Sequence, residues 1–400
     1  MVVKSIGWII FSVSFLMGQI ATASDDFAAW KQNFEKQAMQ SGVSEQTLKK
    51  FLPKMQLLPQ VIKADKKQPE FVSTFWEYTD ARLSPIRIQE GKRLLKKYPT
   101  WLKRVSDKYQ VQPEFILAFW GLETNYGKTM GNIDVLNALT TLAYNPRRRT
   151  FFTKELIAFL KIMEKEKWDK VKGSWAGAFG HFQFMPTTFE AYAVDADNNG
   201  TRNVVASMPD TFASAANYLH QMGWNPNETW GQEVFLPQKL DWHWAQDNSR
   251  KTVADWMNMG IMPANGQWNA PYNMPASLLL PMGKNGPAFL TYPNFRRVMQ
   301  WNKSELYALS VCFLADILSG KAQKIEYPRT TQRFSTEQVY QIQQRLAELG
   351  YYESKPDGMI GKKTRQAIMN FQHDKGVDKD GYPSIELLNL LNINERSPND

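Results

Sequence analysis

Apolar residues recur at helical spacing along most of the chain between Ser24 and about Gly320. Three clear examples are DFAAWKQNFEKQAMQSG, FFTKELIAFLKIMEKEKW and SELYALSVCFLADILSG. Each places apolar side chains three or four residues apart, which is typical of a helix with one buried face, and the first ends at a glycine. The pattern predicts a mainly helical body.

The composition changes between about residues 225 and 300, where Pro, Asn, Gly and Trp become frequent. Short apolar runs such as QEVFLP and ASLLLP are bounded by turn-forming residues and favour short strands. We therefore expect a small loop-rich β lobe beside a helical body. The predicted fold class is mainly α, of the α+β kind.

A polar stretch, residues 321–334, contains Pro328 and has no apolar periodicity, so it is predicted to be a linker. The body before it spans residues 24–320. Residues 335–395 after it predict a compact module of three helices. The segments DGMIGKKTRQAI and DGYPSIELLNLL resemble each other weakly, which suggests an internal repeat in this module.

The first 23 residues have the pattern of an export signal. Lys4 precedes the apolar run IGWIIFSVSFLMGQI, and ATA supplies the small residues of a cleavage site. The run is short for a membrane span. We expect cleavage after Ala23, and a mature protein that is exported to the periplasm and does not span the membrane.

The chain carries a net charge of +9, and acidic residues outnumber basic ones in the C-terminal module, so the excess positive charge lies in the body. A basic exported body suits an anionic polymer or surface. Nucleic acid is a poor fit as a partner, because the protein is exported and has no compact basic stripe. Cys312 is the single cysteine, so no internal disulfide can form.

The segment PEFILAFWGLETNYG contains the main candidate for catalysis, Glu123. It falls four residues after Phe119, at the edge of a predicted apolar helix face and just before NYG ends the helix. Apolar surroundings disfavour a charged carboxylate, which is what a general acid near neutral pH requires. The alternative is a glutamate that pairs with a base at a helix end.

The segment KGSWAGAFGHFQFMP places Ser174 and Gln183 among glycines and aromatic residues. Glycines permit close backbone approach, and a groove of aromatic walls with a few polar groups can hold an N-acetylated sugar. Helices that pack closely over small residues are the alternative interpretation.

Oxygen-bearing residues in DADNNGTRNVVASMPD follow the spacing of an EF-hand-like loop. The candidate calcium ligands are Asp195, Asp197, Asn199, the Thr201 carbonyl and, farther along, Asp210. Position twelve of the loop is Ala206 in place of the usual glutamate. Ligands of this type favour Ca²⁺ over a transition metal. A solvated turn rich in Asx residues is the alternative.

Arginines in the segment NPRRRTFF, Arg147 and Arg148 among them, precede a predicted helix. Arginine forms paired hydrogen bonds to carboxylates, so this turn is a candidate site for an acidic substrate group. A solvated basic turn is an equally good interpretation.

Taken together, these segments resemble the membrane-bound lytic murein transglycosylase B family. The matching pieces, in order, are QPEF, FWGLETNYG, NALTTLAYNPRRR, GSWAGAFGHFQFMP, ANYLHQMGW and NFRRVMQWNKSELYALSV. The resemblance implies a lysozyme-like catalytic body in which Glu123 is the acid and base. It places Ser174, Gln183, Asn302 and Tyr307 at the saccharide, Arg147 and Arg148 near the peptide-bearing substrate, and Ca²⁺ in the loop from Asp195 to Asp210. One departure is His181, where relatives often carry tyrosine.

The C-terminal module resembles a peptidoglycan-binding domain through LAELGYY, DGMIGKKTRQAI and NFQ. Such a module would tether the enzyme to an insoluble polymer and raise the local substrate concentration.

The resemblance implies non-hydrolytic cleavage of the β-1,4 bond between N-acetylmuramic acid and N-acetylglucosamine, with formation of 1,6-anhydromuramoyl ends. The chemistry needs no cofactor, and a structural Ca²⁺ is the metal that the pattern suggests. The expected partners are peptidoglycan glycan strands, with other cell-wall enzymes as further candidates. The alternatives are a lysozyme-like hydrolase, a non-catalytic wall-binding protein and, last, a calcium-regulated adhesion factor.

Overall fold

The computed structural model describes residues 23–66, 74–240, 251–321 and 334–393. The predicted signal peptide lies outside these residues except for Ala23. Most of the predicted linker, residues 322–333, and the last two residues of the predicted module also lie outside them. Within the part of the chain that the structure describes, no helix is long and apolar enough to cross a membrane.

Helices dominate the structure, as the periodicity predicts. Up to residue 221 they are α1 (Ala23–Gln40), α2 (Glu45–Phe51), α3 (Pro59–Lys66), α4 (Phe75–Arg82), α5 (Pro85–Lys97), α6 (Pro99–Tyr109), α7 (Pro113–Thr124), α8 (Val135–Tyr144), α9 (Arg149–Lys165), α10 (Pro186–Tyr192) and α11 (Met208–Gln221). After residue 250 they are α12 (Val253–Asn258), α13 (Pro293–Trp301), α14 (Glu305–Leu318), α15 (Thr336–Glu348), α16 (Lys362–Asp374) and α17 (Ile385–Leu390). Several begin with a proline in the first turn, where its missing N–H leaves no hydrogen bond unmade.

Helix α7 lies at the centre of the body. The sequence predicted one buried stripe, but nearly every side chain of α7 is buried, because α5, α6, α11 and α14 all pack against it. The helix ends where three successive residues adopt left-handed backbone conformations, Asn125 (φ 49°), Tyr126 (φ 60°) and Gly127 (φ 83°). The predicted helix end at NYG is therefore confirmed.

The β lobe is a four-stranded antiparallel sheet in the order β4–β3–β6–β5. Its strands are β3 (Gly231–Phe235), β4 (Met262–Pro263), β5 (Ser277–Leu279) and β6 (Ala288–Thr291). The strands predicted from QEVFLP and ASLLLP are confirmed as β3 and β5. The lobe has a small apolar core of its own, which includes Trp256 and Tyr292. A separate two-stranded pair, β1 (Ile133–Asp134) and β2 (Lys172–Gly173), joins the end of α7 to the glycine-rich segment.

The C-terminal module has three helices, α15 to α17, around its own apolar core, which confirms the predicted architecture. The internal repeat is visible in its hydrogen bonds. A buried glutamine of one helix accepts the glycine N–H of a following Asp-Gly turn and donates to the aspartate. The two sets are Gln343 with Asp357 and Gly358, and Gln372 with Asp380 and Gly381.

Candidate active site

Glu123 lies in the last turn of α7, half-buried, and its Oε1 atom accepts two hydrogen bonds from distant parts of the chain. The Tyr307 hydroxyl donates to Oε1 over 2.5 Å, and the Trp301 indole N–H donates over 2.9 Å. Tyr307 is buried, and burial together with the nearby Glu123 carboxylate raises the pKa of its hydroxyl well above 10. Tyr307 therefore stays a proton donor to Glu123 across the physiological pH range.

The connection between α13 and α14 places both donors. Trp301 is the last residue of α13, and the Ser304 side chain caps α14 by accepting the backbone N–H of Tyr307. Asn302, between them, accepts the backbone N–H of Ser304 through its side-chain oxygen over 3.0 Å. This Asx turn fixes the path of the chain, so Trp301 and Tyr307 reach Glu123 from two helices joined by three residues.

The Trp301 ring, whose N–H donates to the carboxylate, lies in an aromatic cluster. Its ring centroid is 4.5 Å from that of Phe119 and 4.8 Å from that of Tyr218, and Phe182 and Phe184 lie within 6 Å. Sequence reasoning selected Asn302 and Tyr307 but missed Trp301. Trp301 could have been found from the run WNKSELY, which it begins and which contains both selected residues.

The glycine-rich segment between β2 and α10 contacts the Trp301 ring and holds Ser174 and Gln183. The Ser174 hydroxyl accepts the backbone N–H of Ala178 over 3.1 Å. Gln183 has a left-handed backbone (φ 49°) and donates to the carbonyl oxygens of Met130 and Gly180, both over 3.0 Å. Both side chains thus hold the loop in shape, and Phe182 between them carries the loop to the ring of Trp301.

The close packing over small residues that the sequence left open is present at Gly177. A Cβ atom there would overlap the side chain of Leu139 on α8. The glycine therefore lets the loop approach the body. A role for Ser174 and Gln183 in binding sugar remains a prediction.

His181 joins this loop to the end of α7. Its Nδ1 accepts the indole N–H of Trp120 over 3.0 Å, and its carbonyl oxygen accepts the hydroxyl of Thr124 over 2.7 Å. Burial lowers the pKa of His181 below its usual 6.5. The neutral imidazole therefore helps to fix the helix turn that carries Glu123.

Comparison with known proteins identifies the family of the chain. Residues 26–316 match the family described as a transglycosylase SLT domain, and residues 335–391 match a putative peptidoglycan binding domain. The chain belongs to the transglycosylase SLT family. It is a lytic transglycosylase, so the predicted family and enzyme class are confirmed.

Individual relatives agree with this assignment. Membrane-bound lytic murein transglycosylase B of Escherichia coli K12 is 30% identical over 299 residues, which are 70% of this chain and 80% of that protein. SltB3 from Pseudomonas aeruginosa, in a complex with NAG-anhNAM-pentapeptide, has a TM-score of 0.84 and 39% identity, covering 92% of this chain and 99% of that one. E. coli Slt35 in complex with calcium has a TM-score of 0.62 and 28% identity, covering 73% and 94%.

The arginines of this transglycosylase that the sequence assigned to an acidic substrate group contact a buried aspartate of the protein itself. Arg147 donates to Asp65 of α3, both to its carboxylate over 3.2 Å and to its carbonyl oxygen over 2.9 Å. Arg148 also pairs with the Asp65 carboxylate. The pair therefore ties the turn before α9 to α3.

The predicted calcium loop of the transglycosylase brings its carboxylates together. Asp195, Asp197 and Asp210 each have an oxygen within 4.8 Å of those of the other two. Asp195 accepts the backbone N–H groups of Asn199 and Gly200, which folds the loop as an Asx-rich turn. Asp210 is buried at the start of α11. This all-oxygen donor set fits a hard cation such as Ca²⁺.

The predicted ligands of this loop also make hydrogen bonds within the protein. The Asn199 side-chain oxygen accepts the backbone N–H and the hydroxyl of Thr201. Both Asp210 oxygens accept backbone N–H groups, from Ala196 and Asn203, each over 2.7 Å. Burial raises the pKa of Asp210. A cation bound beside it would offset the unfavourable burial of this charge.

Proposed function

We propose that this transglycosylase cleaves the β-1,4 bond between N-acetylmuramic acid and N-acetylglucosamine in peptidoglycan, with Glu123 as both acid and base. The observation that carries the proposal is the convergence of the Tyr307 hydroxyl and the Trp301 indole N–H on Oε1 of Glu123. These neutral donors orient the carboxyl group. Because Oε1 already accepts two hydrogen bonds, we place the acidic proton on Oε2.

In the first step, Oε2 of Glu123 donates its proton to the glycosidic oxygen, and the bond from that oxygen to the anomeric carbon breaks. The positive charge on the anomeric carbon is shared by the 2-acetamido group of the same sugar. Glu123 is then ionised, and the hydrogen bonds from Tyr307 and Trp301 stabilise its negative charge.

In the second step, ionised Glu123 takes the proton of the muramoyl C6 hydroxyl, and the C6 oxygen bonds to the anomeric carbon. Glu123 ends protonated, as it began, and no water is consumed. Because the substrate supplies its own nucleophile, one carboxyl group suffices, whereas a conventional glycosidase uses two. The anhydro sugar in the SltB3 complex is the product type that this route forms.

We assign saccharide contacts to Ser174, Gln183 and Asn302 through the atoms that their loop-forming hydrogen bonds leave available. Ser174 accepts one bond and keeps its O–H to donate, and the oxygen of Gln183 can accept from a sugar hydroxyl or amide. Arg147 and Arg148 remain candidates for the stem-peptide carboxylates, with Asp65 as their resident partner. The predicted export signal supports a periplasmic location, where peptidoglycan lies.

We also propose that Ca²⁺ binds between Asp195, Asp197 and Asp210, with oxygens of Asn199 and Thr201 completing the shell. The motivation is the convergence of three carboxylates on one loop. The Slt35 structure in complex with calcium supports this proposal by relationship. The ion would have a structural role and takes no part in the proton transfers above.

Mass spectrometry of the muropeptides released from purified sacculi tests the reaction. Anhydro products, lighter by one water than hydrolysis products, are expected, and hydrolysed ends alone would identify a lysozyme-like enzyme. Glu123→Gln keeps the shape of the side chain and removes the acid. Near-total loss of release with sacculus binding kept is expected, and unchanged release would refute the role of Glu123.

A further inference from the structure

The C-terminal module lies against the β lobe through a specific contact at Lys284, in the turn between β5 and β6. The Lys284 backbone N–H donates to Oδ2 of Asp380 over 3.0 Å, and its Nζ lies 2.5 Å from Oδ2 of Asp378. Asp380 is the aspartate of the second repeat, which Gln372 holds in place through Oδ1. The hydrogen bond to Asp378 raises the pKa of Lys284, as expected of a lysine paired across an interface.

Close approach at this contact depends on Gly283. Its backbone is left-handed (φ 75°), and a Cβ atom there would lie 2.6 Å from Oδ2 of Asp380 and 2.8 Å from Cβ of Tyr382. Tyr382 also packs against the apolar core of the catalytic body. The module is thus seated on the body by an apolar contact as well as by charges.

A second contact reaches the helix that carries Tyr307. Arg365 of α16 donates to the carbonyl oxygen of Leu280 over 3.3 Å, and its Nη2 lies 3.8 Å from Oε2 of Glu305. Glu305 is the first residue of α14, two residues before Tyr307. The Arg365 guanidinium also lies over the ring of Tyr382, 5.5 Å from its centroid.

These two contacts bracket one stretch of chain. It starts at the turn around Lys284, continues through β6 and α13 to Trp301, and ends at Glu305. The stretch carries Trp301, and Tyr307 follows two residues after its end, on α14. The module touches the stretch at both ends. We propose that the C-terminal module is a positioning element of the active site, which holds Trp301 and Tyr307 against Glu123, and is not only a tether to the polymer.

The proposal rests on the proposed role of Glu123, and a short soluble glycan fragment separates it from tethering. A tether raises the local concentration of insoluble substrate and leaves turnover of a soluble fragment unchanged. A positioning element acts on turnover itself. The informative variant is full-length Lys284→Glu, which places a third negative charge against Asp378 and Asp380.

For Lys284→Glu we expect kcat on the soluble fragment to fall about threefold to tenfold with KM little changed, since small misplacement of catalytic groups slows chemistry. Small-angle X-ray scattering should show a larger radius of gyration as the module separates. Lys284→Glu/Asp378→Lys restores the opposite charges and should recover both values. Lys239→Glu changes the net charge equally at an exposed position of the lobe and should change neither.

Gly283→Ala disturbs the same interface independently, by adding a methyl group where the two surfaces meet. Gly266→Ala is its control. Gly266 has a similar left-handed backbone (φ 76°) and open space around it, so it reports the backbone strain alone. The proposal is overturned if Lys284→Glu matches Lys239→Glu in kcat on the soluble fragment, whether or not the module separates. Activity retained in Glu123→Gln would instead refute the proposed catalytic role of Glu123. That result is distinct from a failure of the positioning proposal.

Discussion

The Tyr307 hydroxyl lies 2.5 Å from Oε1 of Glu123, although 184 residues separate the two side chains. The contact exists because α7 and α14, each almost wholly buried, pack against each other at the centre of the body. A carboxylate in such a place is tolerated only with hydrogen-bond partners. The packing of the two helices therefore sets the geometry of the proposed acid and base.

Tyr307→Phe removes the hydroxyl that donates to Oε1 of Glu123 and keeps the ring. We expect kcat to fall roughly tenfold to a hundredfold with a smaller change in KM, because the ionised form of Glu123 loses a hydrogen bond. Steady-state kinetics on a soluble glycan fragment measures this.

The matched control is Tyr292→Phe. The hydroxyl of Tyr292 is buried and has no hydrogen-bond partner within the described residues, so its loss should leave kcat unchanged. Equal effects of the two substitutions would show that the Tyr307 hydroxyl has no special role.

Trp301→Phe removes the indole N–H and preserves part of the aromatic cluster. We expect a decrease in kcat of about tenfold and a destabilisation of about 1 kcal/mol, the usual net value of one hydrogen bond. Urea unfolding and kinetics together separate the two effects. Trp256→Phe removes an indole N–H that donates to Ala276 in the β lobe, and it should lower stability without lowering kcat. A Trp301→Phe enzyme as active as Trp256→Phe would contradict the prediction.

The lowered pKa of His181 predicts acid sensitivity. Between the folded-state pKa and 6.5, the unfolded chain binds a proton that the folded protein resists, so stability falls as the pH drops below about 6.5. His181→Gln removes this titration, and its melting temperature should fall less than that of the wild type between about pH 7 and pH 5. Parallel curves for the two proteins would exclude His181 as a contributor.

Calcium should stabilise the protein through the loop around Asp197. Calcium in hundredfold excess over its dissociation constant adds about 2.7 kcal/mol to the stability of a protein that binds it only when folded. We expect a higher melting temperature in calcium than in chelator, and loss of this increment in Asp197→Asn. Asp107→Asn, an exposed change on α6, should keep it. A melting temperature indifferent to calcium would refute the site.

The pairing of Arg147 and Arg148 with Asp65 predicts a role in stability, which can be separated from a role in substrate binding. Arg148→Ala leaves the buried Asp65 carboxylate with one partner fewer and should destabilise the protein by about 1–3 kcal/mol in urea unfolding. If the arginines also bind the stem peptide, Arg148→Ala should in addition raise KM for peptide-bearing muropeptides. KM for peptide-free glycan should not rise. Equal KM changes for both substrates would limit the arginine pair to a structural role.

Local features of the fold could be predicted from the sequence, because they depend on neighbouring residues. Helical periodicity, the helix end after Glu123, strands β3 and β5, and the repeat of Asp-Gly turns in the C-terminal module are all of this kind. The extent of burial of α7 could not be predicted in this way. Its apolar residues suggested one buried stripe, whereas the helices around it cover nearly all of its surface.

The sequence by itself determined which residues could do the chemistry: a glutamate at the end of an apolar helix, a glycine-rich aromatic segment and an oxygen-rich loop. Only the tertiary structure decided their partners. It gave Glu123 the Trp301 indole, bound Arg147 and Arg148 to Asp65, and set Lys284 against Asp378 and Asp380. The physical reason is that spacing along a chain fixes contacts within a turn or a helix, whereas contacts across more than a hundred residues depend on how whole helices pack.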